Sequence, residues 1–507
     1  MTETSLRHHD WIANHALRRG AVLAAIDLAT NRRFTYQQFD ARIDAVAAAL
    51  SGEHGVHQGD RVAVLALGST DVFELQFACF RIGAVCVPLN WRLTAPELTA
   101  ILANCAPTLL VHDPAFARLA AELTTPVCPW QTLATGEASP YEHAAISNRT
   151  PSVRARMRLE DPATILYTSG TTGLPKGVIV TYAMNLFNAI HSISLARINE
   201  RSVHLCLLPL FHTGGLNVFS NPVFHAGGTV VVMPSFDPGE TLRALGDPAL
   251  GITHLFGVPA HYQFPAQHPD FATTDLSRLE HAGVGGAPAS LSLIEAWQSR
   301  GVPLTQGYGM TETGPLVLYL DQQDAAAKIG SAGKPAMHVD IRIVDTDGHD
   351  VTDGETGELW LRGPSITPGY WENPEATKAA LAGGWLRTGD AAIRDADGYF
   401  FIVDRWKDMY ISGGENVYPA EVENVLYQLP ELAEAAVIGV ASPRWGETGR
   451  AVVVLKPGQC IDAAGIIAHC AANLARYKLP HDIVFTEALP RNATGKVHKP
   501  TLRAAFG

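Results

Sequence analysis

Positive charge, paired cysteines and long apolar runs are all scarce in this chain of 507 residues. Lys and Arg number 38 against 50 Asp and Glu, a formal charge of −12 with His neutral. A surface of that sign repels phosphate backbones and anionic lipid, which argues against nucleic acid and against stable membrane association. A polyanion such as a nucleotide then has to be held locally, by backbone N–H groups, a few cations and a metal ion. The seven cysteines (79, 86, 105, 128, 206, 460, 470) are odd in number and scattered, with no CxxC pair. Neither a disulfide framework nor a zinc knuckle is expected from that spacing. No run of about 18 apolar residues occurs, and the first twenty residues carry Glu3 and Asp10 without an apolar signal core. A reducing cytoplasm is the expected home.

What is present suits large cores: 47% hydrophobic residues, 45 Gly and 32 Pro. Strand-like runs alternate with helix-period segments, as at 61–67 (strand), 72–82 (helix) and 84–89 (strand). Further strands are expected at 109–112, 164–167, 229–233 and 254–258, a βαβ grammar of stacked, mostly parallel sheets covered by helices. From about 341 the texture becomes turn-punctuated, with Asp347-Gly348, Asp353-Gly354 and Asp397-Gly398 between short strands, which predicts hairpins or a small barrel. The residues after 404 read as a compact unit, with helices near 422–429 and 463–477 and strands near 435–440 and 451–455.

The strongest local signal is Thr-Ser-Gly-Thr-Thr-Gly-Leu-Pro-Lys-Gly at 168–177, directly after a strand candidate. Its glycines let the backbone turn and point N–H groups inward, its hydroxyls add donors, and Lys176 adds a mobile cation, all of which suits a polyphosphate. No Gly-Lys-Ser/Thr follows a four-residue spacer, so this is not a Walker A loop. A second signal is Gln-Gly-Tyr-Gly-Met-Thr-Glu-Thr-Gly at 306–314: Tyr308 offers a face for a base, Thr311 a hydroxyl for a phosphate, and Glu312 a hard oxygen ligand for Mg²⁺. Alone, these residues read more readily as a core tyrosine and a solvated glutamate.

With both motifs in hand, the chain resembles the adenylate-forming superfamily, which includes acyl-CoA and aryl-CoA synthetases, adenylation domains and firefly-type luciferases. The resemblance runs from about residue 34 to 507. Further motifs follow in the family's order: Pro-Leu-Phe-His-Thr-Gly-Gly at 209–215, Gly-Gly-Ala-Pro at 285–288, Gly-Glu-Leu-Trp-Leu at 357–361, Trp-Leu-Arg-Thr-Gly-Asp at 385–390, Asp404-Arg405, Ser-Gly-Gly-Glu-Asn at 412–416 and Pro-Arg-Asn-Ala-Thr-Gly-Lys at 490–496. It implies an α/β fold: a large multi-sheet N-terminal body at 1–404, with two stacked α/β sheets and a small β-barrel, and a small mobile α+β domain at 405–507.

The resemblance also implies roles. Thr168, Ser169, Gly170, Thr171, Thr172, Gly173 and Lys176 would hold the β- and γ-phosphates of ATP. Gly285, Gly286, Ala287 and Tyr308 would hold adenine, and Asp390 with Arg405 the ribose. Glu312 would ligate Mg²⁺, Thr311 would contact the α-phosphate, and Lys496 would reach both the acid's carboxylate and the α-phosphate. Lys407 matches the hinge, and Gly413 with Gly414 the close passage of a thiol. Phe211 and His212 resemble the gate of the acyl pocket. Gly214 and Gly215 leave room there, and Asn217, Pro315 and Leu316 are candidate walls. The expected substrate is an aryl-propenoic (cinnamate- or ferulate-type) or medium-to-long fatty acid. No acid residue stands beside His212 to pair with an ammonium, which disfavours amino acids. With no carrier domain read after residue 507, CoA is the expected thiol.

Three departures stand out: Tyr182 where many relatives have His, Trp406 beside the hinge, and His498-Lys499-Pro500 after Lys496. The first puts substrate preference in question. The leading expectation is a carboxylic acid:CoA ligase that uses ATP, Mg²⁺ and CoA. A stand-alone adenylating enzyme loading a carrier protein, or a catalytically silent nucleotide-binding protein, remain alternatives, and a homodimer stays open.

Overall fold

Short-range signals start and stop the main elements of the computed structural model, which describes residues 6–123, 128–131, 139–168, 175–287, 289–406, 408–412, 415–442, 446–491 and 497–507. Thr35 begins the helix Tyr36–Gly52 with a capping box: its hydroxyl accepts from the Gln38 N–H at 3.3 Å, and Gln38 Oε1 accepts from the Thr35 N–H at 2.9 Å. The helix Thr70–Ile82 ends at Gly83, whose φ of 74° lies in the left-handed region. A side chain there would also meet Met157 Sδ at 2.8 Å.

The chain packs into two compact units, Met1–Asp340 with Leu361–Leu386, and Ile341–Trp360 with Arg387–Gly507. In the first, a six-stranded sheet carries the strands Arg61–Leu65, Val85–Pro88, Leu109–His112 and Cys128–Gln131 in parallel, then Pro162–Thr168 beside Val85–Pro88. Its last strand, Lys176–Thr181, turns back antiparallel on Pro162–Thr168. A nine-stranded sheet holds the parallel strands Leu23–Asp27, Thr229–Val232, Val203–Cys206, His254–Gly257, His281–Gly285 and Leu304–Tyr308. Short antiparallel strands finish both of its ends. The expected βαβ grammar holds, and strands form at 61–65, 109–112 and 254–257 where 61–67, 109–112 and 254–258 were expected.

The helix Thr70–Ile82 is buried along its whole length, charges included. Unpaired, each such charge would cost several kcal/mol. Glu74 therefore accepts from Arg42 Nε at 2.6 Å, Asp71 pairs with Arg32 at 2.9 Å, and Arg81 meets Asp10 and Asp44 at 2.7 and 2.8 Å. Burial and the neighbouring Glu74 push Asp71 up to about 7 despite its arginine.

In the second unit, Phe400–Arg405 pairs antiparallel with the 390–394 part of Trp385–Arg394. The region expected as hairpins or a small barrel belongs to a five-stranded sheet. Further on, Leu432–Ser442 and Gly446–Leu455 form a long antiparallel pair, and Pro480–Phe485 runs parallel to the latter. The helices Pro419–Leu426 and Ala463–Asn473 complete a core of Val422, Leu426, Val437, Val453, Ile466 and Cys470. No helix among the described residues is long and apolar enough to cross a membrane.

Candidate active site

The glycine-rich segment connects two paired antiparallel strands. Thr168 and Lys176 are cross-strand partners at the ends of Pro162–Thr168 and Lys176–Thr181, and Thr168 Oγ1 lies 3.5 Å from the Lys176 carbonyl oxygen. Ser169, Gly170, Thr171, Thr172 and Gly173 lie outside the described residues. Lys176 Nζ sits 5.4 Å from the centroid of the Tyr370 ring.

The segment 367–371 ties that pair of strands to the second motif. The Ile179 N–H donates to the Gly369 oxygen at 3.1 Å and the Trp371 N–H to the Gly177 oxygen at 2.7 Å. From the same segment, the Thr367 N–H donates to the Glu312 oxygen at 2.8 Å and Thr367 Oγ1 to the Ile179 oxygen at 2.6 Å. Residues Thr311–Thr313 form one turn of 3₁₀-helix, with Thr311 and Glu312 both 5% exposed. The Tyr370 hydroxyl donates to Glu312 Oε1 at 3.0 Å. A nearly buried carboxylate thus accepts on one oxygen from a neutral donor, and a hard oxygen ligand of this kind suits Mg²⁺.

Gly285 and Gly307 are register partners at the carboxyl ends of neighbouring parallel strands, with Tyr308 one residue on. The edge where parallel strands end is where open α/β sheets bind ligands. A Cβ on Gly285 would meet Phe256 Cζ at 2.9 Å and the Gly307 oxygen at 3.0 Å. Gly286 has a φ of 76° and, with Ala287, is exposed, while Tyr308 is half-buried. Glycine is needed at 309 because a Cβ would fall 1.4 Å from the Pro315 oxygen. Pro315 and Leu316 are buried; the Leu316 N–H donates to Asn188 Oδ1 at 3.2 Å, and its carbonyl lies 2.9 Å from His191 Nδ1.

The 209–215 motif runs into a turn of π-helix, Gly214–Val218. The Gly214 N–H donates to His212 Nδ1 at 3.1 Å, so a neutral His212 carries its proton on Nε2. Phe211 is 7% exposed and packs edge-on to Trp91, centroids 6.2 Å apart, with the Arg92 guanidinium 5.8 Å from its ring. Asn217 belongs to a buried amide chain: Gln76 Nε2 donates to Asn221 Oδ1 at 2.9 Å, Asn221 Nδ2 to Asn217 Oδ1 at 2.8 Å, and Asn217 Nδ2 to Thr213 Oγ1 at 3.3 Å. This chain locks the motif onto the helix Thr70–Ile82.

Two readings of individual residues change. Gly215 was expected to leave room for an acyl group, but a Cβ on it would lie 2.4 Å from the Pro209 oxygen and 2.6 Å from the Leu208 oxygen. Its glycine is demanded by two backbone segments in contact. Tyr182, expected to bear on substrate preference, is fully buried against His8 (ring centroids 4.3 Å) and Phe80 (5.1 Å), and its hydroxyl has no partner among the described residues.

In the second unit Asp390 is 7% exposed and is the cross-strand partner of Arg405, whose backbone alone is described. The Asp390 N–H donates to Thr388 Oγ1 at 3.1 Å, and that hydroxyl donates to the Leu359 oxygen at 2.7 Å. Lys407, Gly413, Gly414 and Lys496 lie outside the described residues. Tyr370 and the Gln76–Asn221 amides escaped the sequence reading. The first had a signal in Gly-Tyr-Trp-Glu-Asn-Pro at 369–374, a turn running into a capped helix; the second had none, since its members are far apart in the chain.

Comparisons with known proteins assign the family. Residues 10–371 match the family described as AMP-binding enzyme, and residues 421–496 match the AMP-binding enzyme C-terminal domain. The chain is 41% identical over 473 residues to a feruloyl-CoA synthase of an Amycolatopsis species, covering 93% of this chain and 94% of that one. It is 40% identical over 501 residues to the indoleacetate–CoA ligase of Aromatoleum aromaticum, covering 97% of each. Its fold matches the o-succinylbenzoate CoA synthetase of Bacillus subtilis solved with ATP and magnesium, at TM-score 0.88 and 30% identity, over 98% of this chain and all of the other. With its two-part match and relatives aligned along nearly their whole length, this chain belongs to the AMP-binding enzyme family, in its acyl-CoA and aryl-CoA synthetase branch.

Proposed function

We propose that this protein joins an aryl-substituted or medium-to-long apolar carboxylic acid to CoA, releasing AMP and pyrophosphate. The observation that carries the reading is the contact of Tyr370 with both Lys176 and Glu312, a cation and a hard carboxylate held by one side chain. Kinship along nearly the whole chain with two ligases named for aryl acids supports the substrate class.

In the first half-reaction a carboxylate oxygen attacks the α-phosphorus of ATP in line, the bond to the β-phosphate oxygen breaks, and pyrophosphate leaves. Two anions must approach, so positioning and charge compensation dominate. Thr168, the glycine-rich segment and Lys176 would hold the β- and γ-phosphates, Thr311 the α-phosphate, and Glu312 would ligate Mg²⁺. Bound there, the ion would offset the triphosphate's charge. Gly285, Gly286 and Ala287 would contact adenine while Tyr308 stacks on it. Asp390 and Arg405 would take the ribose hydroxyls, and Lys496 would bridge the acid and the α-phosphate.

In the second half-reaction the CoA sulfur attacks the acyl carbon of the adenylate, loses its proton, and expels AMP. The division of the chain at 404/405, with Lys407 as hinge, would exchange Lys496 for Gly413 and Gly414 between the two steps. Phe211 and His212 would gate the acid's pocket. The protein acts on small molecules, and the cytoplasm, which supplies ATP and CoA, accords with free cysteines at 79, 86, 105, 206, 460 and 470.

Purified protein, ATP, Mg²⁺, CoA and a panel of acids test the reading, ranked by kcat/KM because that ratio reports differential transition-state binding. Cinnamate-type and indolic acids should lead, with AMP and thioester formed together. Adenylate without thioester would point to a carrier protein as acceptor, and no pyrophosphate release with any acid would refute the reading.

A further inference from the structure

Tyr370 touches both charged groups to which the reading above gives the metal and the phosphates, and its place is determined by contacts on several sides. Its main chain bridges Val178, one strand residue beyond Gly177, and its N–H donates to Thr377 Oγ1 at 2.9 Å. Thr377 lies in the helix Pro374–Ala380, capped by Asn373, whose Oδ1 accepts from the Ala376 N–H at 3.0 Å. Just before it, Gly369 has a φ of 143°, and a Cβ there would sit 2.4 Å from Thr377 Cγ2. Backbone pairing and a helix cap therefore aim one rigid ring whose edge donates to Glu312 Oε1 at 3.0 Å and whose face meets Lys176 Nζ at 5.4 Å from the centroid.

The chemistry of a phenol suits both tasks. Its hydroxyl orients the carboxylate without bringing the positive charge that a lysine or arginine would add. Its face attracts the ammonium without occupying the N–H donors that a phosphate needs. We propose that Tyr370 is a positioning residue of the metal–triphosphate site, its hydroxyl orienting Glu312 and its ring seating Lys176. This rests on the reading of the site given above.

The test measures binding, with Mn²⁺ as the metal probe and α,β-methylene-ATP as a nucleotide that cannot be cleaved. Free Mn²⁺ is followed by electron paramagnetic resonance in a double-mutant cycle. Tyr370→Phe should weaken Mn²⁺ binding to the nucleotide complex about tenfold, the effect of a lost hydrogen bond to a charged group. In a Glu312→Gln background the same change should cost less than about twofold, because the carboxylate it orients is gone. Tyr370→Leu, which removes the ring as well, should also weaken metal-free nucleotide about threefold, as the lysine loses its seat. Equal losses from Tyr370→Phe in both backgrounds, or no loss in either, would overturn the inference while the site stands. Wild-type protein that takes up no Mn²⁺ with the nucleotide would overturn the reading of the site and this inference with it.

Discussion

Adjacent glycines 214 and 215 provide a matched pair of perturbations with opposite expected outcomes. A Cβ at 215 would sit 2.4 Å from the Pro209 oxygen and 2.6 Å from the Leu208 oxygen, both main-chain atoms that cannot swing aside. Restoring an ordinary contact requires one segment to retreat by roughly 1 Å or more, an overpacking strain of about 1–3 kcal/mol. The shift also moves the Gly215 oxygen, which accepts from Ser220 Oγ at 2.6 Å, placing about 1 kcal/mol of buried hydrogen bonding at risk. Gly215→Ala should therefore destabilise the first unit by about 2–4 kcal/mol. A Cβ at 214 meets only side-chain atoms, Leu208 Cδ1 at 3.1 Å and His212 Nδ1 at 3.3 Å, which can give way. Gly214→Ala should change stability by less than about 1 kcal/mol, its cost offset by the helical preference of alanine. Urea unfolding followed by tryptophan fluorescence reads the difference directly, and the acid panel run on both variants shows whether Gly214→Ala narrows the range of acids accepted. Equal midpoints for the two variants would refute the reasoning.

Lys496→Ala should nearly abolish pyrophosphate release while a supplied acyl-adenylate still yields thioester, and Gly414→Leu should do the reverse; equal loss of both steps in either variant would contradict the division of labour. Tyr182→Phe should leave the order of preferred acids unchanged and stabilise the protein slightly, by up to about 1 kcal/mol, since it deletes a buried hydroxyl without a partner among the described residues; a reordered panel would restore Tyr182 to the substrate site. His204, His254 and His281 are register neighbours on adjacent strands, lowered by burial to about 3, 4 and 3. The unfolded chain binds protons on these residues below about pH 6.5 and the folded one does not, so stability should fall as pH drops from 6.5 toward 4, by up to about 1.4 kcal/mol per pH unit per histidine. Urea midpoints across that range check the sign, and a flat profile would refute it.

Much of the site could be read from residue order. Thr168, Lys176, Gly285, Tyr308 and Glu312 stand in short motifs whose chemistry is local: glycines where backbone must approach, hydroxyls and a cation for phosphate, a hard carboxylate for a cation. The strand at 61–65 and the helix at 70–82 were legible for the same reason, since periodicity is written residue by residue. Tyr370 was not legible. It lies 58 residues beyond Glu312, in a segment that joins the strand Lys176–Thr181 largely through main-chain hydrogen bonds, which sequence does not display.

The sequence by itself determined the chemistry available, the alternation of strands and helices, and the motif order that marks the family. Each depends on residue type and spacing. Tertiary structure alone decided which groups meet: that Tyr370 links Lys176 and Glu312, that Gln76 and Asn221 brace the 209–215 motif, and that Gly215 yields to backbone while Tyr182 faces the core. Those outcomes follow from close packing of segments remote in the chain, where tenths of an ångström separate contact from collision.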